Sequence, residues 1–146
     1  MKIKTALILC AGFGKRVQPI TDSLPKPLIV YKNETLLENT INFLIKIKIE
    51  KIKINVFYLK EKIIDFIYSK NFPLNIEIVD DGETILGTGG GTLNLINKSN
   101  EDDVLVINPD TIWDESYVKS IFEMEKIYFE KKIKNILLIV NNLTCF

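Results

Sequence analysis

Residues 7–21 read LILCAGFGKRVQPIT. The start of this stretch belongs to an apolar run, residues 5–10, whose length suits a buried β-strand. The polar segment that follows, residues 11–26, is too long and too rich in glycine and proline to be a plain connection. Open α/β sheets bind ligands at the carboxyl ends of their strands, so this loop is the first candidate for a binding site.

Strand-length apolar runs alternate with segments of helical period along the rest of the chain. This alternation is typical of βαβ units and of a mostly parallel sheet. Further strands are predicted at residues 53–58, 76–79, 104–108 and 135–140. Helices are predicted from Asn33 or Thr35 (burying Leu36, Leu37, Ile41, Leu44 and Ile45), over residues 60–70, through Leu93 and Ile96, and over residues 114–129. We predict one α/β domain over residues 1–146, with a Rossmann-like, mostly parallel sheet flanked by helices.

The amino-acid composition argues against nucleic acid and membranes as binding partners. The 19 basic residues balance the 19 acidic ones, so no global positive field attracts nucleic acid or an anionic membrane. Residues 46–53 alternate Lys or Glu with Ile, which indicates an amphipathic surface segment rather than a nucleic-acid patch. Cys10 and Cys145 lack metal-ligand spacing, and no apolar run is long enough to span a membrane. We expect a soluble, cytoplasmic protein without nucleic-acid or membrane partners.

Two glycines and three cations suggest that the first loop binds phosphate. Gly12 and Gly14 allow backbone N–H groups to turn toward an anion, and Lys15, Arg16 and Lys26 add positive charge. On these residues alone, a tight turn with solvated cations remains the alternative.

Two common phosphate-binding motifs are excluded by position. A dinucleotide fingerprint needs a third glycine where Val17 stands, and a Walker A loop needs Ser or Thr where Arg16 follows Lys15.

The first loop as a whole resembles the signature L-x-A-G-x-G-x-R-x-x-P-x-T…P-K-P-L of the sugar-1-phosphate nucleotidyltransferase family. The fixed positions are filled by Leu9, Ala11, Gly12, Gly14, Arg16, Pro19, Thr21, Pro25, Lys26, Pro27 and Leu28. Cys10 stands where the family usually has alanine. The resemblance implies a nucleotidyltransferase type of fold.

Two later segments resemble further motifs of that family. Residues 83–91, ETILGTGGG, resemble the motif beside the nucleobase, which implies that Gly89 and Gly90 contact the nucleotide. Residues 105–110, LVINPD, resemble an N-G-D-like motif, which implies that Asp110 binds Mg²⁺. Pro109 replaces the usual glycine there. Read alone, the first segment is also compatible with a flexible turn and Asp110 with a helix cap.

The resemblance implies that a sugar 1-phosphate attacks a nucleoside triphosphate in the presence of Mg²⁺, giving nucleotide-sugar and pyrophosphate. Arg16 and Lys15 are then expected on the triphosphate, Lys26 on the reacting phosphates, and Leu9, Ala11, Gly12 and Gly14 along the nucleotide. Trp113 and Asp114 resemble the branch that acts on muramic acid phosphate. UTP is therefore the first expectation, and GTP with a mannose- or heptose-type sugar the second.

Catalytic domains of this family continue beyond the length of this chain, and their later part supplies a second metal-binding aspartate. No candidate for it follows Asn135. Two function classes therefore stay open: an enzyme or its N-terminal half, and a nucleotide-binding or regulatory module without turnover. Self-association is also expected, and a continuation after Phe146 with a strand ending in aspartate would favour the enzyme.

Overall fold

Residues 1–139 are described by a computed structural model. Its strands are β1 (Thr5–Leu9), β2 (Val30–Tyr31), β3 (Glu34–Thr35), β4 (Lys51–Val56), β5 (Asn75–Asp80) and β6 (Val104–Ile107). Its α-helices are α1 (Leu36–Lys46), α2 (Lys60–Ser69), α3 (Gly87–Asn97) and α4 (Glu115–Lys131). The first loop contains three single 3₁₀ turns, at Lys15–Val17, Ile20–Asp22 and Lys26–Leu28.

The main sheet has the strand order β5-β4-β1-β6, and all of its pairs are parallel. β1 lies inside the sheet, hydrogen-bonded to β4 on one side and to β6 on the other. A separate antiparallel hairpin of β2 and β3 leads into α1. The prediction of a mostly parallel α/β sheet flanked by helices is confirmed, whereas the hairpin was not predicted.

Successive residues of β1 face opposite sides of the sheet, because side chains alternate along a strand. Ala6 and Ile8 belong to a large apolar core with the buried faces of α1, α2 and α4. Leu7 packs on the other side against Leu95 of α3 and Val79 of β5. The sheet is therefore covered by helices on both faces, and its strand ends are left for the site.

α1 begins after Thr35, one of the two predicted starts. The Thr35 hydroxyl accepts a hydrogen bond from the Glu38 backbone N–H at 3.0 Å, which satisfies one of the unpaired donors of the first turn. Of the five predicted core positions, Leu36, Leu37, Ile41 and Leu44 are buried and Ile45 is partly buried; Phe43, which was not predicted, is also buried.

β4 spans residues 51–56 rather than the predicted 53–58. The shift places Lys53 inside the sheet, with 2% of its side chain exposed. Its ammonium group donates to the Lys98 carbonyl at the end of α3 and pairs with Glu77 at 2.9 Å. Lys53 is thus an exception to the expectation that residues 46–53 form a surface segment.

The predicted strand at residues 135–140 is wrong for residues 135–139, and residue 140 lies outside the described residues. A strand exists only where its backbone groups pair with a neighbour, and residues 135–139 form no ladder with the described sheet. Leu137 is 80% exposed and Ile139 is 83% exposed. Apolar composition alone therefore predicted strand structure that this segment does not form.

Among residues 1–139, every helix is too short or too polar to cross a membrane.

Replacing the helix cap tests the account of α1. We expect Thr35→Ala to destabilise the domain by about 1 kcal/mol, because the Glu38 N–H loses its acceptor. The thermal midpoint should fall by roughly 3 °C. Ser69→Ala is the matched control. The Ser69 hydroxyl donates to the Phe66 carbonyl at the C-terminal end of α2, so its removal leaves no helix N–H without an acceptor. Equal melting temperatures for wild type and Thr35→Ala would contradict the assignment of the cap.

Candidate active site

Two loops and one helix meet at the carboxyl edge of the parallel sheet. The loop after β1 begins at Cys10, the loop after β6 begins at Asn108, and α3 begins at Gly87. They enclose a cleft of about 240 Å³. Its lining residues are Leu9, Cys10, Gly12, Gly14, Arg16, Lys26, Pro27, Thr88, Asn108, Pro109 and Asp110. The cleft thus brings together the glycines of the first loop, both expected catalytic cations and the expected metal ligand.

A second cavity of about 180 Å³ adjoins the cleft. The two share Leu9, Gly12, Thr88 and Asn108, and the second cavity adds Ala11, Asn55, Ile85 and Gly87. Sequence reasoning missed Asn55 entirely, whereas Ile85, Gly87, Thr88 and Asn108 lie within the two later motifs but were not singled out as site residues. A usable signal existed for two of them, because Asn55 and Asn108 lie at or just after the carboxyl ends of parallel strands.

Gly14 fixes the path of the first loop. Its φ of +68° lies in the left-handed region, and a Cβ there would lie 2.8 Å from Cγ2 of Thr21. The Thr21 hydroxyl donates to the Gly14 carbonyl at 3.0 Å, and the Tyr58 hydroxyl donates to the Thr21 carbonyl at 2.9 Å. Gly14 is therefore required for the turn itself, whereas Gly12 has nothing within 4 Å of where a Cβ would lie.

Lys26 and Asp110 form an ion pair in the cleft. The Lys26 ammonium nitrogen lies 2.6 Å from Oδ2 of Asp110, although the two residues are 84 positions apart. Their side chains are 29% and 40% exposed, so water screens the pair and its two charges remain accessible. A cation and a carboxylate are thus presented side by side to any ligand that enters the cleft.

The other two cations of the first loop have different surroundings. Arg16 lines the cleft, where a guanidinium can bind a phosphate through two hydrogen bonds. The Lys15 ammonium lies 5.3 Å from the centre of the Phe13 ring, and that ring packs against Phe57 and Tyr58. The structure therefore groups Arg16 with Lys26 and Asp110, while a role for Lys15 on the triphosphate stays a prediction.

The glycine-rich segment is helical from Gly87 onward, so the helix predicted through Leu93 and Ile96 begins earlier than expected and residues 87–91 are not a flexible turn. α3 begins at Gly87, whose φ of +68° suits glycine, and Gly89 and Gly90 lie in its first turns. Ile85, Gly87 and Thr88 are the residues of this segment that line the second cavity. The N-terminus of a helix favours anions because its N–H groups are unpaired. Contact of Gly89 and Gly90 with a nucleotide stays a prediction.

Asp110 fits a magnesium ion that is shared with a substrate. Within residues 1–139, no group of three or more His, Cys, Asp or Glu side chains could hold a metal ion alone. Mg²⁺ commonly binds through one or two carboxylates, with phosphate oxygens and water completing its shell. An accessible carboxylate in a cleft that is also lined by two cations, Arg16 and Lys26, meets that requirement. Pro109 is buried, so the residue that replaces the usual glycine packs into the protein.

Cys10 lines the cleft but is unsuited to be a nucleophile. Its side chain is 1% exposed, and burial, reinforced by the negative charge of Asp110, raises the pKa of the Cys10 thiol far above its ordinary value. The thiol therefore stays protonated at neutral pH, and a thiolate is the reactive form of cysteine. Cys145 lies outside the described residues.

The sequence matches the model of the family described as Nucleotidyl transferase over residues 5–142. It is 39% identical over 130 residues to the bifunctional protein GlmU of Methanococcus maripaludis (strain C5), which covers 89% of this chain and 30% of that protein. It is 30% identical over 113 residues to N-acetylmuramate alpha-1-phosphate uridylyltransferase of Caulobacter vibrioides, with coverages of 75% and 47%.

Among solved structures, HddC from Yersinia pseudotuberculosis superposes with a TM-score of 0.71 at 25% sequence identity. The match covers 83% of this chain and 54% of that one. The chain thus spans between about a third and about half of the length of these three proteins.

The environment of Cys10 predicts slow alkylation. In the folded protein at pH 8, we expect iodoacetamide to modify Cys10 at least a hundredfold more slowly than in denaturant, because the thiol is buried and protonated. Peptide mass spectrometry of timed samples measures modification at this residue alone. Labelling at the denatured rate in native buffer would show that the thiol is accessible, against the burial described.

Proposed function

Because the chain belongs to the nucleotidyl transferase family, we propose that it binds a nucleoside triphosphate and a sugar 1-phosphate and joins them with release of pyrophosphate. One observation carries the proposal: Gly12, Gly14, Arg16, Lys26 and Asp110 surround one cleft at the carboxyl edge of the sheet. The cleft combines backbone N–H groups, two cations and one carboxylate, which suits a polyphosphate bound together with a divalent cation.

The reaction needs little acid-base chemistry from the protein. An oxygen of the sugar phosphate, already ionised at neutral pH, forms a bond to the α-phosphorus while the bond to the pyrophosphate oxygen breaks. Positioning and neutralisation of charge then dominate the barrier. The absence of histidine from the sequence is compatible with this chemistry.

Lys26 and Arg16 supply that neutralisation in the proposed mechanism. Arg16 clasps the triphosphate, and Lys26 exchanges its contact with Asp110 for contacts with the reacting phosphates. Half-exposed ion pairs contribute about 0–1 kcal/mol, so separating Lys26 from Asp110 costs little. In the absence of a ligand, the Lys26–Asp110 pair therefore holds both side chains at the cleft and leaves them able to separate when a ligand binds.

Asp110 is the residue that would hold Mg²⁺, together with phosphate oxygens and water. When bound there, the metal neutralises negative charge on the phosphates. The Asp110 carboxylate would be available to the metal once Lys26 contacts the phosphates instead.

The second cavity is proposed to receive the nucleobase. It lies beside the first loop and the start of α3, and main-chain groups of Gly12 and Gly87 border it. UTP is the preferred nucleotide in this proposal. The choice is supported by the similar protein of Caulobacter vibrioides, which is named as a uridylyltransferase. GTP is the second candidate.

Calorimetry with nucleotide and Mg²⁺ tests the proposal. We expect MgUTP to bind the folded chain with a Kd below 1 mM, because the cleft presents both phosphate-binding cations and the metal ligand. The same titration with MgGTP compares the two candidate nucleotides. A pyrophosphate-release assay with a panel of sugar 1-phosphates then separates an enzyme from a module that only binds. If neither nucleotide binds at millimolar concentration to protein shown to be folded, the proposed function is wrong.

Removal of either cleft cation should weaken binding without unfolding the domain. We expect Arg16→Ala and Lys26→Ala each to raise the Kd for MgUTP tenfold or more, since a hydrogen bond to a charged group contributes about 1.5–3 kcal/mol. Lys119→Ala is the control: it also removes a positive charge, but from an exposed surface of α4. Melting temperatures should stay close to wild type in all three variants. A melt that collapses in the two cleft variants would indicate a structural role instead.

A further inference from the structure

A chain of buried and partly buried hydrogen bonds runs beside the second cavity, which Asn55 itself helps to line. Oδ1 of Asn55 accepts from the Cys10 backbone N–H at 2.9 Å, and Nδ2 of Asn55 donates to Oδ2 of Asp81 at 2.7 Å. Oδ1 of Asp81 accepts from Nδ2 of Asn94 at 2.8 Å. Asn55 is 2% exposed and Asp81 is 8% exposed. We call the Cys10, Asn55, Asp81 and Asn94 groups, in this order, the polar brace.

The polar brace links the two segments that border the second cavity. One end holds the backbone at Cys10, where the first loop leaves β1. The other end holds Asn94 in α3, the helix whose N-terminus contributes Gly87 and Thr88 to the cavity. Asn55 ends the described contacts of β4 with β1, and Asp81 directly follows β5. The brace therefore connects the start of the first loop to α3 through three hydrogen bonds.

Gly91 shows how closely α3 approaches the polar brace. A Cβ at residue 91 would lie 2.5 Å from Nδ2 of Asn55 and 3.5 Å from Oδ2 of Asp81. Because both side chains are buried and hydrogen-bonded, neither can move aside freely. The backbone of α3 thus packs directly against Asn55. This contact explains why residue 91 is a glycine although it does not line the second cavity.

The donors and acceptors of the polar brace leave little freedom at residue 55. That side chain must accept a hydrogen bond from a backbone N–H on one side and donate one to a carboxylate on the other. An amide does both when its oxygen faces Cys10 and its nitrogen faces Asp81. A carboxylate at residue 55 would place two buried acceptors against each other, and an unmatched buried charge is strongly unfavourable.

We propose that Asn55 and Asp81 are positioning residues, which hold the first loop and α3 at the separation that the nucleobase requires. The inference rests on the proposed function only in naming the ligand as a nucleotide. Neither residue needs to touch the reacting phosphates. Their effect is transmitted through the Cys10 backbone and the placement of Gly87 and Thr88.

An exchange of the two side-chain types tests the proposal. In Asn55→Asp, two carboxylates face each other, and we expect the Kd for MgUTP to rise at least tenfold. In the double variant Asn55→Asp with Asp81→Asn, residue 55 accepts from the Cys10 N–H and from the new amide, whose oxygen accepts from Asn94. Every hydrogen bond and the total charge are then restored, and we expect the Kd to return to within threefold of wild type. Asp81→Asn alone completes the double-mutant cycle.

The swap also separates positioning from simple charge repulsion and from loss of stability. The double variant keeps a negative charge at residue 55, so recovery of binding excludes repulsion between that charge and the nucleotide. Ile41→Val, a core change in α1 away from the cavity, provides a destabilised control whose Kd should equal that of wild type. Failure of the double variant to recover, or equal weakening by Ile41→Val, would overturn the proposal.

Hydrogen exchange of the unliganded proteins gives a readout that is independent of nucleotide. We expect Asn55→Asp to speed amide exchange at residues 10–14 and 87–94 together, and the double variant to reverse both changes. If the wild-type protein binds no nucleotide, the proposed function is wrong. Hydrogen exchange still shows whether the polar brace holds the two segments in place. Unchanged exchange in both segments would show that the brace does not hold them, whatever the binding result.

Discussion

The parallel pairing of β1 with a strand on each side is the constraint on which the rest of this structure depends. Every backbone group of a strand between two neighbours can be paired, so β1 can be buried on both faces and carry apolar residues from Ala6 to Leu9. Since all four strands run the same way, their carboxyl ends lie at one edge of the sheet. The residues at or just after the ends of β1, β4, β5 and β6 are therefore neighbours in space, and both the cleft and the polar brace include some of them.

Charge in this protein is arranged locally, because its overall balance is neutral. Lys26 and Asp110 lie together at the cleft, half-exposed, whereas Lys53 is buried and satisfied by the end of α3 and by Glu77. The difference follows from the surroundings. A half-exposed pair is screened by water and separates at little cost, while a buried ammonium must keep its partners. Accessibility therefore distinguishes the charges that can serve a ligand from those that serve the fold.

Glycines that look alike in the sequence have different physical roles. Gly14 is required by its left-handed backbone and by the close approach of Thr21, and Gly91 by the approach of Asn55. Gly12 has open space beside it at both cavities. Read alone, the run of adjacent glycines is compatible with a flexible turn. In the structure it lies in α3, where Gly91 packs against Asn55 of the brace despite the low helix propensity of glycine.

The sequence by itself determined the fold class, because hydrophobic period is a property of the chain. The resemblance of its motifs to the sugar-1-phosphate nucleotidyltransferase family drew attention to Arg16, Lys26 and Asp110 as candidate site residues. The hydrophobic period also placed the core residues Leu37, Ile41 and Leu44 on one face of α1. Only the tertiary structure decided that Lys26 pairs with Asp110, that Asn55 and Asp81 join the first loop to α3, and that residues 135–139 form no strand. Each of these depends on a partner distant along the chain, and a local pattern carries no information about whether that partner is in reach.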